Sequence, residues 1–465
     1  MDVIARRQTL RGHIQVPGSK SHTIRALILA TMAEGQSCIR NPLPSADCMS
    51  TAAAMPLIGA EIGLDLRTEG KAGTMWSVNG AGKNLHAPTD VINVGNSGSL
   101  LYFLAPIAAT FDGWSVFTGD ASIRTRPVRH MVDAINQMGA RAFVTQPQSD
   151  VCPMIVEGPI TKAHKIVTEG NVSSQYISGL MLAALRLSEP LEIELTDPKE
   201  TPYLTMTKTW LERVGAEVSI SADFRHISVT APRTLKAFDC TIPSDWEAAA
   251  FPLAAALLTD STVTIDNIDG SGTQGDEAIV SILQSIGADI TWDKTANQLT
   301  ARGGKKARNG LGRLSTQNLP DGELRVALSP FPDAICVLAV IACFTEGTTV
   351  LEDAAVCRRK ETDRIALMAQ QLSWLGADVT ENGDSLIIHG HSPVREDGTD
   401  NPAFRLHGGT VESHGDHRIA MSLACMGLGL RGDEQITVHN AECCDVSFPH
   451  FFDVMTDIGA GFKKR

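Results

Sequence analysis

Six stretches of this chain are apolar around almost a full helical turn. They read TIRALILATMAEG, SLLYFLAPIAATF, SQYISGLMLAALRL, WEAAAFPLAAALL, DAICVLAVIACF and HRIAMSLACMGLGL. A helix without a polar face belongs inside a fold, and the small residues let such helices pack closely. Each is followed by a short strand candidate, such as WSVFTGD, LEIELTD, STVTIDN or TTVLEDA. A second helical pattern then closes on a Gly-Ala pair: PLIGAEI, NQMGARA, ERVGAEV, QSIGADI, SWLGADV and TDIGAGF. The glycines are Gly59, Gly139, Gly215, Gly287, Gly376 and Gly459. A glycine there supplies a left-handed helix cap. The alternating residues after it, such as EVSIS and DITWD, predict another strand.

The unit therefore reads βαβαββ, counting one strand before its first helix, and it recurs six times. The expected fold class is α/β, with two pseudo-threefold domains of three units each and the small-residue helices innermost. The break falls near residue 240. Residues 19–242 form one domain with repeats 1–3. Residues 1–18 plus 243–465 form a discontinuous second domain with repeats 4–6. There an opening strand, Val3 to Val16, is expected to pair with the last units. Two crossings, near residues 18 and 242, join the domains, and the active site is expected in the cleft between them. Segments 303–325 and 392–404 read as surface loops.

Composition narrows the function. Lys and Arg number 40 against 53 Asp and Glu, a net charge of -13, which argues against nonspecific nucleic-acid binding. A basic cleft for a small anionic substrate can still sit inside an acidic shell. No apolar run reaches a membrane span, and the start of the chain lacks a secretory pattern. None of the ten cysteines falls in a CxxC pair, so reduced, buried thiols and a cytoplasmic location are expected. No nucleic acid or membrane partner is expected, and a monomer is.

Polar residues gather where the inner helices begin: Gly18-Ser19-Lys20-Ser21, Gly95-Asn96-Ser97-Gly98-Ser99, Asn171-Val172-Ser173-Ser174-Gln175, Ser244-Asp245, Phe331-Pro332-Asp333 and Gly415-Asp416-His417-Arg418. Free N–H groups and the helix dipole make such starts suited to phosphate and carboxylate groups. A single Ser or Asp there is an ordinary cap. The joint pattern says more, because Lys20, Arg126, Arg364 and Arg418 lie at such junctions. The spacing GxxxxGK[ST] is absent, which excludes a nucleotide P-loop. Glu361 and Arg364 stand three apart, on one face if the segment is helical. From spacing alone they read as a solvated surface ion pair. His414, Asp416 and His417 read as capping groups, since no further metal-ligand set is evident.

At these residues the chain resembles the 5-enolpyruvylshikimate-3-phosphate synthase family nearly end to end. The motifs are PGSKSHTIRALILA, GNSGS, RTRP, VSSQY, PYLTMT, PDA, RRKETDRI, GDHRIAM and SFPHFFDVM. A sister family of UDP-N-acetylglucosamine enolpyruvyl transferases has Asn after the lysine and usually a cysteine in the second-repeat loop. This chain has Ser21 and no cysteine near Gly98. The resemblance implies transfer of the enolpyruvyl group of phosphoenolpyruvate to the 5-hydroxyl of shikimate 3-phosphate, with release of phosphate. That is a step of the shikimate pathway toward chorismate and the aromatic amino acids. It implies that Ser21 and Arg25 hold the shikimate carboxylate, that Ser173, Ser174 and Lys360 hold its phosphate, and that Gln175 and Tyr203 flank the ring. Gly98, Arg126, Gln175, Arg364 and Arg418 would surround phosphoenolpyruvate. Lys20, Asp333 and Glu361 would be catalytic, Lys20 and Asp333 also touching the acceptor and Lys20 phosphoenolpyruvate. Asp333 would take the hydroxyl proton, and Glu361 would give and remove the proton at the enol carbon. The scheme needs no metal and no organic cofactor.

The chain departs from the family at four places. Val446 stands where a lysine is usual, Tyr102-Phe103 where Arg-Pro is usual, Glu200 where Ser precedes the Tyr motif, and Val356 where Asn is usual. Loss of one ionic contact costs on the order of 1.5–3 kcal/mol. Lys199 and Arg358 are the candidate replacements. The alternative function is that of a divergent paralogue using another anionic cyclic acceptor or eliminating phosphate.

Overall fold

The computed structural model describes residues 1–64, 74–146, 148–161 and 165–465. They form two compact units, Gly18–Pro243 and Met1–Pro17 with Ser244–Arg465. The first unit carries α1 (Lys20–Met32), α2 (Ala46–Ala54), α3 (Gly98–Ala108), α4 (Arg129–Gln137), α5 (Ser174–Ala183) and α6 (Thr201–Arg213). The second carries α7 (Trp246–Leu257), α8 (Ile279–Ser285), α9 (Ile335–Cys343), α10 (Arg364–Trp374), α11 (His417–Gly429) and α12 (Phe451–Asp457). The odd-numbered helices are the small-residue ones, and nearly every residue in them is buried. The even-numbered ones bury one face, as α4 does with Met131, Val132, Ala134 and Ile135. All six Gly-Ala glycines have positive φ, from 84° at Gly139 to 110° at Gly59.

Each unit contains three small sheets, one per repeat. The second repeat shows the pattern plainly. Its strands Ile92–Asn93 and Gly113–Thr118 run parallel on either side of α3 in sequence. Met154–Gly158 then pairs antiparallel with both Gly113–Thr118 and Arg141–Val144. The third repeat repeats it with Lys165–Thr168, Leu191–Leu195, Glu217–Ile220 and His226–Thr230.

Two repeats borrow a strand from far along the chain. The first takes Asp239–Thr241, which runs parallel to Glu34–Arg40. The fourth takes Arg11–Gln15, parallel to Thr262–Asp266. The single opening strand expected over Val3 to Val16 is in fact two. Val3–Arg6 lies between Gln435–His439 and Gly461–Lys464 in the sixth repeat. The chain then breaks, and its next strand joins the fourth repeat. Each strand takes its register from its own partners, Val3 opposite Val438 and Lys464, and Arg11 opposite Thr262. Segment 303–325 includes short helical turns at Gly304–Lys306 and Pro320–Gly322 and a two-residue strand, Leu314–Ser315.

Candidate active site

In the unit Gly18–Pro243, the starts of α1, α3 and α5 carry the polar residues. Lys20 opens α1, and its ammonium lies 3.4 Å from the buried carboxylate of Asp47 on α2. One turn later Arg25 is fully buried. Its guanidinium donates to Ser21 O (2.9 Å), Thr207 Oγ1 (2.9 Å), Ser178 Oγ (3.3 Å) and Tyr203 O (3.3 Å). The Phe103 ring lies 4.7 Å beneath it. All these partners are neutral. Burial pulls Arg25 down to about 9, partly countered by Tyr203, so it stays protonated at neutral pH. A buried cation held by neutral groups is set up to receive an anion.

One of the four departures from the family, Tyr102-Phe103, becomes intelligible here. Phe103 supplies the cation–π face under Arg25, and Tyr102 Oη donates to Pro127 O at 2.7 Å, bracing the turn that carries Arg126. Arg126 reaches over the start of α3, where Ser97 caps the helix through the Leu100 N–H. A Cβ at Gly98 would lie 2.5 Å from Arg126 Nη1, so only glycine leaves room for the guanidinium in this position. Gln175 Nε2 donates to Ser99 Oγ at 3.1 Å, which brings the α5 start beside the α3 start. Ser173 caps α5 through the Gln175 N–H. Ser174 N–H and Oγ both donate to the buried carboxylate of Glu200, at 2.9 and 3.1 Å.

The other unit holds a denser ionic cluster. Asp333, at the turn before α9, is ion-paired with Arg364, with Arg418 Nε at 3.2 Å and with Lys360 Nζ at 3.8 Å. Arg364 has no exposed side-chain surface and also binds Glu361 and Asp416, the latter through Nε at 2.8 Å. Arg418 binds Glu247 as well. Burial works against ionisation of Asp333, but Lys360, Arg418 and Arg364 outweigh it and hold the carboxyl well below its usual range. Asp416 is likewise held low, with Arg364 overcoming burial. Asp276 is pushed well up by burial and by the nearby Glu247 and Asp333 carboxylates. Three cations thus face five acids in one buried network, and the cations are forks or points suited to carboxylate and phosphate.

The residues expected from sequence fall into two gatherings. Lys20, Ser21, Arg25, Gly98, Arg126, Ser173, Ser174, Gln175 and Tyr203 lie in one unit, and Asp333, Lys360, Glu361, Arg364 and Arg418 in the other. Glu361 and Arg364 do meet, but Glu361 precedes α10, so a turn joins them, and with Arg364 fully buried and Glu361 partly so this is not a solvated surface pair. Asp416 caps α11 through the Arg418 N–H at 2.9 Å and also clamps Arg364. Among the described residues no cluster of three or more His, Cys, Asp or Glu side chains is placed to hold a metal ion. Arg358, a candidate stand-in for the cation missing at Val446, is committed to Asp363, Glu381 and Gly383 O. Sequence reasoning missed Glu247, Asp276 and Asp47 as members of these networks. Their only sequence signal is an acid at or near a helix start, which ordinary caps share.

Known proteins resemble this chain along its whole length. The family model described as EPSP synthase (3-phosphoshikimate 1-carboxyvinyltransferase) matches residues 4–455. A 3-phosphoshikimate 1-carboxyvinyltransferase of Ruminiclostridium cellulolyticum is 35% identical over 453 residues, 97% of each chain. That of Acetivibrio thermocellus is 35% identical over 455 residues, covering 98% of this chain and 97% of its own. The solved EPSP synthase of Acinetobacter baumannii superposes with a TM-score of 0.78 at 27% identity, covering 100% of this chain and 99% of that one. Repeat architecture, buried cation sets and end-to-end similarity agree, and the chain belongs to the EPSP synthase (3-phosphoshikimate 1-carboxyvinyltransferase) family.

Proposed function

We infer that this protein is a 3-phosphoshikimate 1-carboxyvinyltransferase, joining phosphoenolpyruvate to shikimate 3-phosphate and releasing phosphate. The observation that carries the reading is the buried network around Asp333, in a chain that matches the family from end to end. Both reactants are polyanions, and one unit offers the buried Arg25 to receive them while the other offers the buried Arg364 and Arg418.

In this mechanism Arg25 and Ser21 hold the acceptor carboxylate, and the α5 start with Lys360 takes its phosphate. Arg126, Arg364 and Arg418 embrace phosphoenolpyruvate beside Gly98 and Gln175. The acceptor hydroxyl attacks the enol carbon bearing oxygen while Glu361 protonates the methylene carbon. Asp333 takes the hydroxyl proton, with Lys20 stabilising developing charge. Phosphate then leaves, and Glu361 removes a methyl proton to regenerate the enol ether. The ligand-free Asp333 is a weak base because three cations neutralise it. An incoming phosphate or carboxylate draws on those same cations and adds negative charge nearby, which raises the proton affinity of Asp333 when the reaction needs a base.

Ten free cysteines, eight of them buried, suit a reducing compartment, and we place the enzyme in the cytoplasm. Among the described residues no helix is long and apolar enough to cross a membrane. The deciding experiment is phosphate release by purified protein supplied with both substrates, then with each omitted. Release only with both is expected. Release from phosphoenolpyruvate alone, or none with both, would overturn the assignment.

A further inference from the structure

Glu200 stands at the entry to α6 with φ 51° and ψ 36°, a left-handed conformation uncommon for glutamate. A polar residue at that position ordinarily caps its own helix. Glu200 does not. Its Oε2 instead accepts both the N–H and the hydroxyl of Ser174, at the start of the ten-residue α5. The residue is 3% exposed. The backbone that presents it is anchored: Thr196 N–H donates to Thr168 O, Lys199 N–H to Gly170 O, and Asn171 Nδ2 to Asp197. A Cβ on Gly170 would lie 2.5 Å from Pro198 Cα, so these two turns are in direct contact. The backbone is tied, so any rearrangement here falls to the side chain.

We propose that Glu200 is a resident anion at the acceptor-phosphate position, a specificity-determining side chain that an incoming phosphate must turn out before it can bind Ser174. This rests on the reading above, in which Ser173 and Ser174 receive that phosphate. A backbone N–H and a hydroxyl each offer one hydrogen, and Glu200 takes both. A phosphate at the same place meets spent donors and a second negative charge. Glu200 therefore weakens phosphorylated acceptors and leaves binding of the unphosphorylated ring almost untouched.

Calorimetric titration of wild type, Glu200→Ser and Glu200→Gln with shikimate 3-phosphate and with shikimate tests this. Glu200→Ser is expected to tighten shikimate 3-phosphate by about tenfold or more, and to change shikimate by less than about twofold. Glu200→Gln keeps an oxygen for Ser174 without the charge, preserves the packing if Glu200→Ser does not fold, and is expected to fall between. Wild-type binding with equal or weaker affinity in the folded variants overturns the role of Glu200 and leaves the transferase assignment standing. Equal gains for both ligands also overturn it, because the phosphate would then not be what Glu200 opposes. No binding of shikimate 3-phosphate by any of the proteins overturns both. Phosphate-release assays separate the two readings further: tighter phosphate-dependent binding without turnover by any form supports Glu200 and sinks the transferase assignment.

Discussion

Asp333 stands under opposing demands. Its carboxylate is stabilised by Lys360, Arg418 and Arg364, yet the proposed chemistry needs it to accept a proton. Substrate anions resolve the conflict by drawing on the same cations. Glu361 is expected to be indispensable as the carbon acid and base, and Glu361→Gln should lower kcat by about 10²–10⁴-fold. Acceptor binding should survive; steady-state kinetics with calorimetry checks both. Asp276 answers to stability instead. Burial and the neighbouring carboxylates raise its pKa well above the ordinary aspartate range, so keeping it in the fold costs stability once the unfolded chain would ionise. Asp276→Asn should therefore raise Tm at pH 7, and the gain should shrink to nothing as pH falls through about 4. Burial also raises Cys152 and Cys343 to about 12 and Cys240 to about 11. Thiol titration of native protein should find at most Cys38 and Cys443 reacting quickly, since those two alone are not buried.

Six glycine caps end helices of the same kind, but their surroundings differ. At Gly215 an added methyl meets only Pro232 Cβ at 3.7 Å, so Gly215→Ala should cost about 1 kcal/mol from its positive φ. At Gly376 the methyl would fall 2.8 Å from Arg405 O, a backbone atom, and Gly376→Ala should cost about 2–3 kcal/mol. Denaturant melts of the two variants provide the comparison. Gly98→Ala clashes with the flexible end of Arg126 and merely touches Gln175 Oε1 at 3.5 Å, so its stability cost should be small while the Arg126 guanidinium is displaced and KM for phosphoenolpyruvate rises. Much at this scale was legible in the sequence. The Gly-Ala pairs, the all-apolar inner helices and the polar helix starts each have a local physical cause that shows in a short window. The ionic partners did not show. Glu247 and Asp276 are separated from Arg418 by well over a hundred residues, and nothing periodic marks an acid that will face a distant guanidinium. Glu200 was visible as a departure from its family, but its grip on Ser174 depends on a left-handed turn that the sequence around it does not announce.

At the scale of the whole molecule, the repeats were countable from their spacing, and the exchange of strands between them was not. The run Val3 to Val16 reads as one strand because no proline breaks it before Pro17. Only the pairing of Val3–Arg6 in the sixth repeat and Arg11–Gln15 in the fourth reveals the division. That division has a consequence for biosynthesis. Everything in Gly18–Pro243 is made before most of its companion, and its borrowed strand, Asp239–Thr241, emerges at its own end. Val3–Arg6, by contrast, leaves the ribosome before Gly18–Pro243 yet pairs with Gln435–His439 and Gly461–Lys464, which are translated after that unit. That strand must wait, unpaired, through the manufacture of an entire neighbouring unit, until Gln435–His439 and Gly461–Lys464 close a sheet around it.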